Sequence, residues 1–402
     1  MSRFLESQTR HAVLALPSAR DEAWRYTSLK SLEQRALVVG DRDAATREVP
    51  AALLESGVAR IVFVNGAYRA DLSDASATGV ELAVSRRAAS EASTAADTIV
   101  RLNALLASEH VTIHVATGAR GVKPLHLVHV GVPATEGLAW YARISVELGA
   151  GATLAVVERF LAAAPHDHVG NVSNRLQLGA GAELAWTRVQ GESETATLFT
   201  HTDAALEANA RLEHASIDTG AVLARHAFEV ELAAPGAVLR SRGVFALRGR
   251  QHGDTQLAVV HAARDTHCDI AYRGLADGRS RGVFGGTITM RPGADGADAR
   301  LENKNLLLSP HAEIDTKPVL EIHADEVKAS HGATVGQLDE RALFYLRSRG
   351  IAEPEARSML TYAFAAAMFD NHPERDRLLA PLGVGRTSEA WPADASPDGP
   401  AR

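Results

Sequence analysis

Leu148 to Leu154 reads LGAGATL, and Leu178 to Leu184 reads LGAGAEL. The phrase returns in weaker form as LEANARL at Leu206 and LAAPGAVL at Leu232, at spacings of 30, 28 and 26 residues. MRPGADGADARL from Met290 and LSPHAEI from Leu308 read as later, degenerate copies. Self-similarity at such a period marks a repeat architecture, in which each unit cannot bury its apolar face alone and stacks on its neighbour to do so. Between the copies run ARISVEL, NRLQLG and HAFEVEL, segments in which every second side chain would point the same way. A strand, a small-residue turn and another strand, repeated, is what a β-solenoid requires, because Gly and Ala turn corners where larger side chains collide. The fold expected is mainly β: a right-handed parallel β-helix core of roughly eight or nine coils. The alternative is a β-sandwich or propeller with coincidental Gly-Ala turns, although no propeller blade signature is present.

The flanks differ in kind, and the pattern divides the chain at 1–108, 109–335, 336–386 and 387–402. The first segment mixes helical signals with a short strand and turn, RIVFVNGAYRADLS, and ends in a helix predicted to bring Ile99, Leu102, Leu105 and Leu106 to one face. After the core, QLDERALFYLRSRG places Leu338, Ala342, Leu343 and Leu346 on one stripe and stops at Gly350, a helix C-cap. EPEARSMLTYAFAAAMF restarts with Pro354 in the first turn and is expected to turn Leu360, Ala363, Phe364 and Ala367 inward. Two short helices joined by a tight turn make a docking unit. The final stretch, rich in Pro, Ala, Ser and Asp, is expected to be disordered.

Bulk properties narrow the function. The chain has 402 residues and a formal charge of -7, with no basic run, so nucleic acid is not an expected partner. Neither a leader nor an apolar stretch of about 20 residues is visible, which predicts a cytoplasmic protein with no membrane partner. The single cysteine, Cys268, forbids an internal disulfide and a self-contained thiolate cluster site.

Candidate chemistry concentrates in EIHADEVKASHGATVG, Glu321 to Gly336. In a strand His323 and Asp325 would share one face and Glu326 the other, which is no ready metal triad, and no H-E-x-x-H or paired-cysteine motif accompanies them. His331 stands among small residues that let another group approach. HDH at His166 to His168, beside Pro165, reads as a solvated turn. Cys268 follows His267 in RDTHCDIAY, but strand neighbours face opposite ways, so the thiol reads as a small buried hydrophobe. No Walker lysine, G-x-S-x-G elbow or Rossmann fingerprint occurs, and GVFGGTITM lacks a following helix. An open β-helix leaves unpaired backbone groups at both ends. The N-terminal region can cap one; KPVLEIHADEVKASH carries a strand pattern almost to the last helices, leaving the other edge for a partner's strand.

The block from Asn305 to Ile351 and the shorter WRYTSL, Trp24 to Leu29, are similar to the SufB/SufD family of iron-sulfur cluster assembly proteins. The lone cysteine, and Ser330-His331-Gly332-Ala333-Thr334 where the SufB branch reads more like E-H-E-A-T, align the chain with the SufD branch. The resemblance covers essentially the whole chain. It implies a non-catalytic scaffold that pairs with SufB as a heterodimer through the β-helix and with the ATPase SufC through the C-terminal helices. Leu343, Phe344, Leu346, Met359, Tyr362 and Phe364 are the contacts expected for SufC. The same resemblance makes His331 a ligand, at the SufB interface, for a transient iron or iron-sulfur cluster, with no cofactor held tightly by this chain alone. Some members carry a cysteine two residues before this histidine; Ala329 stands there instead, which removes a second ligand. Imidazole is an acceptable borderline ligand for iron, and SufB would supply the thiolates. The competing expectations are a β-helix carbohydrate-active enzyme and a structural solenoid that forms a homodimer when SufB is missing.

Overall fold

The computed structural model describes residues 16–41, 43–88, 97–134 and 137–382. The tail expected to be disordered, 387–402, lies outside the described residues. Short strands β1 (Val38–Val39), β2 (Ala59–Val64), β3 (Ala67–Tyr68) and β4 (Leu82–Ala88) precede eight pairs, one pair per coil. The first four pairs are β5 (Glu109–Val115) with β6 (Leu125–Gly131), β7 (Leu138–Leu148) with β8 (Thr153–Ala162), β9 (Val169–Leu178) with β10 (Glu183–Gly191), and β11 (Thr197–Leu206) with β12 (Arg211–Asp218). The last four are β13 (Leu223–Leu232) with β14 (Val238–Leu247), β15 (His252–His261) with β16 (His267–Ala276), β17 (Arg281–Met290) with β18 (Asp298–Leu307), and β19 (Glu313–Ile322) with β20 (Lys328–Gly336). Odd-numbered strands from β5 stack in parallel as one sheet and even-numbered strands from β6 as the other, so the core is a parallel β-helix.

The repeated phrase is one corner of this helix. Leu148, Leu178, Leu206 and Leu232 are direct partners in successive strands of the odd sheet. Across the corner, Leu154, Leu184, Leu212, Leu239 and Cys268 form the matching ladder in the even sheet. The odd ladder continues through His261, Met290 and Ile322. The copy beginning at His261 escapes a search for leucines because a histidine takes the leucine position. LSPHAEI, in contrast, lies at the opposite corner, between β18 and β19, and is not a copy of the phrase.

Each of these corners carries at least one residue in the left-handed region: Gly118, Gly151, Gly181, Asn209, Gly236, Asp265, Gly293 with Gly296, and finally Glu326, at φ 51°. A left-handed residue turns the backbone so that its amide can point along the stacking axis. Gly151 N–H reaches Ala180 O at 2.9 Å, Gly181 reaches Ala208 O at 2.8 Å, and Gly296 reaches Glu326 O at 3.2 Å. Glycine adopts this conformation freely, and Asn and Asp tolerate it, whereas Glu stores strain there.

Glycine also explains how a chain poor in aromatics builds a dense interior. A Cβ on Gly170 would lie 2.5 Å from the Trp140 ring, so the missing side chain is the space the indole fills. Phe284 fills the space beside Gly286 in the same way, and Phe160, Trp186 and Phe228 are buried with them in the interior.

The segment before residue 109 closes the first coil. β2 pairs in parallel with β6, β3 folds back on β2, and β4 runs antiparallel to β5. At the far end β19 and β20 each have a single neighbour, so both edges of the last coil are open among the described residues.

Five helices flank the described core: α1 (Lys30–Glu33), α2 (Thr98–Leu106), α3 (Glu340–Ser348), α4 (Glu353–Ala366) and α5 (Arg375–Leu379). Trp24, Leu29, Leu32, Leu37, Ile99 and Leu102 pack on the outer face of the odd sheet against Tyr141, Phe199 and Leu223. Leu105, expected on the packed face of α2, is exposed, because the nine-residue helix meets the sheet along a narrow line through Ile99 and Leu102. The C-terminal helices fold back on the outer face of the even sheet, where Phe369, Leu378, Leu379 and Leu382 cover Val189, Ile217, Val244 and Leu275. In α4 the buried positions are Ala356, Ser358, Thr361, Ala365 and Ala366, while Ala363 and Ala367, expected inward, are exposed. Small residues turn inward there because α4 is pressed between α3 and the sheet. Among the described residues no helix is long and apolar enough to cross a membrane.

Candidate functional site at the open end of the solenoid

Parallel register decides where His331 points. Trp186, His214, Ser241, Ile270, Leu301 and His331 occupy one column through successive even strands. The five below His331 are buried in the interior. Side chains in one column of a parallel sheet share a face, so His331 is directed along the interior side of the last coil. It is exposed only because no further coil is stacked upon it. Ala329, Ala333 and Val335 share that inner face, and Ser330, Gly332 and Thr334 the outer one. A Cβ on Gly332 would meet nothing within 4 Å, so the outer face of β20 is uncovered at this position among the described residues. From the coil beneath, Asn305 Nδ2 donates to Thr334 O at 3.0 Å and to Asn303 Oδ1 at 2.6 Å, tying the strand carrying His331 to the penultimate coil.

The other residues of the EIHADEVKASHGATVG stretch separate from His331. The strand pattern breaks at residues 323–327, which form the corner between β19 and β20. His323, Asp325 and Glu326 are therefore exposed corner residues and not alternating strand positions. The break follows from the left-handed Glu326 and from the bond of His323 N–H to Met290 O, 2.9 Å, both of which continue the corner seen in every lower coil. Among the described residues no three His, Cys, Asp or Glu side chains converge on a metal-sized point.

Cys268 takes a leucine position and is fully buried. Burial pushes its thiol up to about 12. Its histidine neighbour is His261, with Nε2 at 3.2 Å from the sulfur, and not the adjacent His267, which lies 3.8 Å from Asp298. Burial lowers His261 to about 4, so the contact is between neutral groups. A thiol without thiolate character is neither nucleophile nor iron ligand.

The HDH turn is not solvated as its composition suggests. His166 and His168 are buried with rings stacked 4.1 Å apart, and His166 Nε2 lies 3.0 Å from Glu192 Oε1. Asp167 alone turns outward, to Arg35 at 2.7 Å. The turn is held by the one that follows β10, where Ser193 Oγ and Thr195 Oγ1 donate to His166 O at 2.7 and 2.8 Å. WRYTSL is likewise a fastening: Trp24 Nε1 donates to Asp97 at 2.8 Å, Arg225 stacks over the indole at 3.9 Å, and Thr27 Oγ1 bonds His252 at 2.9 Å and Asp254 at 2.5 Å.

Beyond β20 the Asp339 side chain caps α3, accepting from Arg341 N–H at 2.8 Å, and Gly350 ends the turn in the left-handed region. The six hydrophobic residues singled out in these helices occupy three environments. Phe344 and Met359 are exposed, Leu346 is half-buried and Leu343 is buried in the helix pair. Tyr362 and Phe364 pack against the chain's own C-terminal cluster, and Arg273 lies 4.7 Å over the Phe364 ring. Tyr345, overlooked in the sequence because it lies off the apolar stripe, is 57% exposed and follows Phe344 at 73%, so α3 presents two aromatic side chains to solvent.

A family model for the SUF system FeS cluster assembly SufBD core domain matches residues 132–364, the span from the second coil to α4. The chain belongs to the SufBD family. It is 33% identical to the iron-sulfur cluster assembly protein SufD of Escherichia coli, over 94% of this chain and 90% of that protein. It is 26% identical to a SufBD family protein of Synechocystis, over 90% of this chain and 84% of the relative. Against the SufD of Bacillus subtilis the identity is 26%, over 68% of this chain and 63% of that protein. Within the SufBD core match lie both the open coil with His331 and the helix pair with its exposed aromatic side chains.

Proposed function

We propose that this SufBD-family chain is a SufD-type scaffold subunit with no reaction of its own, which completes a cluster-assembly site by pairing with a SufB-type paralogue. The observation carrying this reading is the last coil, where two open strand edges flank an inward-directed His331 that no other ligand cluster among the described residues joins. Unpaired edges are templates for strand addition, and a partner adding strands there would enclose the histidine. Iron or a nascent iron-sulfur cluster is cargo at that junction: the imidazole offers one borderline ligand, and the partner's thiolates the remainder. Exposed Phe344, Tyr345 and Met359 mark the docking surface for a SufC-type ATPase, whose movement reaches the last coil through α3, directly joined to β20 by residues 337–339. The setting of this work is cytoplasmic.

Co-expression with SufB-type and SufC-type partners, followed by purification through a tag on this chain, tests the reading. Both partners are expected to co-purify, and a chain that retains neither refutes it. His331→Ala is expected to leave the complex intact while depressing the activity of iron-sulfur enzymes in cells that depend on it. Normal enzyme activity in those cells would return the histidine to a purely structural role.

A further inference from the structure

Three anchors of different character hold the C-terminal helical unit to the rest of the described molecule. One is dry: Phe369, Leu378, Leu379 and Leu382 seated on Val189, Ile217, Val244 and Leu275. Another is Arg273 of β16, which donates to Phe364 O and lies 4.7 Å from that ring's centroid. The third is a single wet carboxylate. Glu55, just after a short helical turn at Ala51–Leu53, meets Arg377 of α5 through both oxygens, Oε1 to Nη1 at 2.5 Å and Oε2 to Nη2 at 3.0 Å. Its Oε1 also accepts from Arg159 Nη1 of β8 at 2.8 Å, and Arg377 Nε donates to Glu374 at 2.9 Å. One side chain thus joins the N-terminal segment, the second coil and the last helix.

The Glu55 and Arg377 side chains are 33% and 25% exposed. Water can replace an ion pair of that exposure without unfolding what surrounds it, whereas the apolar seat opens only by losing contact area. Close by is His126 of β6, which is buried and whose Nδ1 has no hydrogen-bond partner among the described residues. The charged groups around it are Arg377 and Glu374 at α5, Glu55 from the N-terminal segment and Arg159 from β8.

We propose that Glu55 is a latch that clamps the C-terminal helical unit to the second coil, and that its opening lets the unit turn on its apolar seat. The use of that motion in transmitting ATPase movement rests on the function proposed above; the latch itself requires only this chain.

Glu55→Gln in the full chain tests it by two readouts. Hydrogen exchange at Leu378 and Leu379 is expected to accelerate about ten-fold, as for loss of a charge-assisted bidentate bond, with exchange in β11 to β14 unchanged. The His126 titration, followed by NMR, discriminates by sign. Burial first and Arg377 second hold His126 below its ordinary value, while Glu55 opposes them. If the unit stays closed, removing the Glu55 charge moves the titration lower still. If the latch opens, hydration and retreat of Arg377 move it upward, which is the expected result. Unchanged exchange or a downward shift overturns the latch, as does faster exchange spread through β11 to β14. Arg377→Met is expected to accelerate the same amides and no others. Because these measurements involve no partner, their failure leaves the partner reading standing, and failure to co-purify the ATPase leaves the latch standing.

Discussion

Replacing Asp218 with Asn removes the counter-charge of a guanidinium in the middle of the solenoid. Arg188 and Asp218 face each other across adjacent coils, with Nη1 to Oδ1 at 2.6 Å and side-chain exposures of 1% and 8%. Arg188 Nη2 also donates to Thr200 at 3.2 Å, and the guanidinium lies 5.2 Å from the Phe160 ring centroid. Neither neighbour carries a charge, so Asp218→Asn strands a buried cation. Breaking a buried pair in this way costs about 3–5 kcal/mol, a large part of a domain stability of roughly 5–15 kcal/mol. Replacing both, as Arg188→Met with Asp218→Leu, removes the cation together with its partner, and such exchanges are neutral or stabilising by about 1–4 kcal/mol. Thr200 keeps His226 Nδ1 as a partner at 2.8 Å, so the double replacement leaves that hydroxyl bonded. Urea unfolding followed in parallel by far-ultraviolet circular dichroism and tryptophan fluorescence measures the series, and coincident transitions check that one free energy describes it. The reasoning is refuted if Asp218→Asn costs less than about 1 kcal/mol, or if the double variant is as destabilised as the single one.

Three other measurements bear on the fold. Gly170→Ala places a methyl against the Trp140 ring, where a Cβ would lie 2.5 Å away, and is expected to cost about 1–3 kcal/mol; an unfolding midpoint equal to the parent's contradicts that packing. Glu326→Gly relieves a left-handed backbone at the last corner, φ 51°, and is expected to stabilise by up to about 1 kcal/mol without altering the complex; destabilisation would mean the Glu side chain holds the corner. Burial lowers His214 to about 3 and His168 and His261 to about 4, so the folded state keeps them neutral. The unfolded chain protonates them near an ordinary value of about 6.5; their effect is absent above that pH and becomes a growing loss below it, of about 1.4 kcal/mol per pH unit for each histidine. Urea midpoints between pH 7.5 and 5 are expected to fall accordingly, and a flat profile would place these rings in contact with water.

The solenoid was legible because its code is local and repeated. The leucines at 148, 178, 206 and 232 signal a corner by spacing alone, and register stacks them as spacing predicts. The later copies faded because a column inside a stack demands only a buried side chain of suitable size, so His261, Met290 and Cys268 serve where leucine stood before. The α3–α4 pair was legible from Gly350 and Pro354, which act on the backbone within one turn, whereas the Asp339 cap was seen only in the structure. Which residues of α4 face inward was not, since that depends on two surfaces remote in sequence.

The sequence by itself determined the coiled β architecture and the family, because repeats, turn residues and a long specific block are properties of consecutive residues. Only the tertiary structure decided that His331 shares an interior column with Trp186 and Leu301, that His323 and its acidic neighbours sit on a corner, and that Glu55 holds a helix 322 residues away. Those outcomes depend on which coil ends the stack and on what folds back across its outer faces. In a solenoid the direction of a side chain follows from local alternation, but its burial follows from whether another coil lies above it.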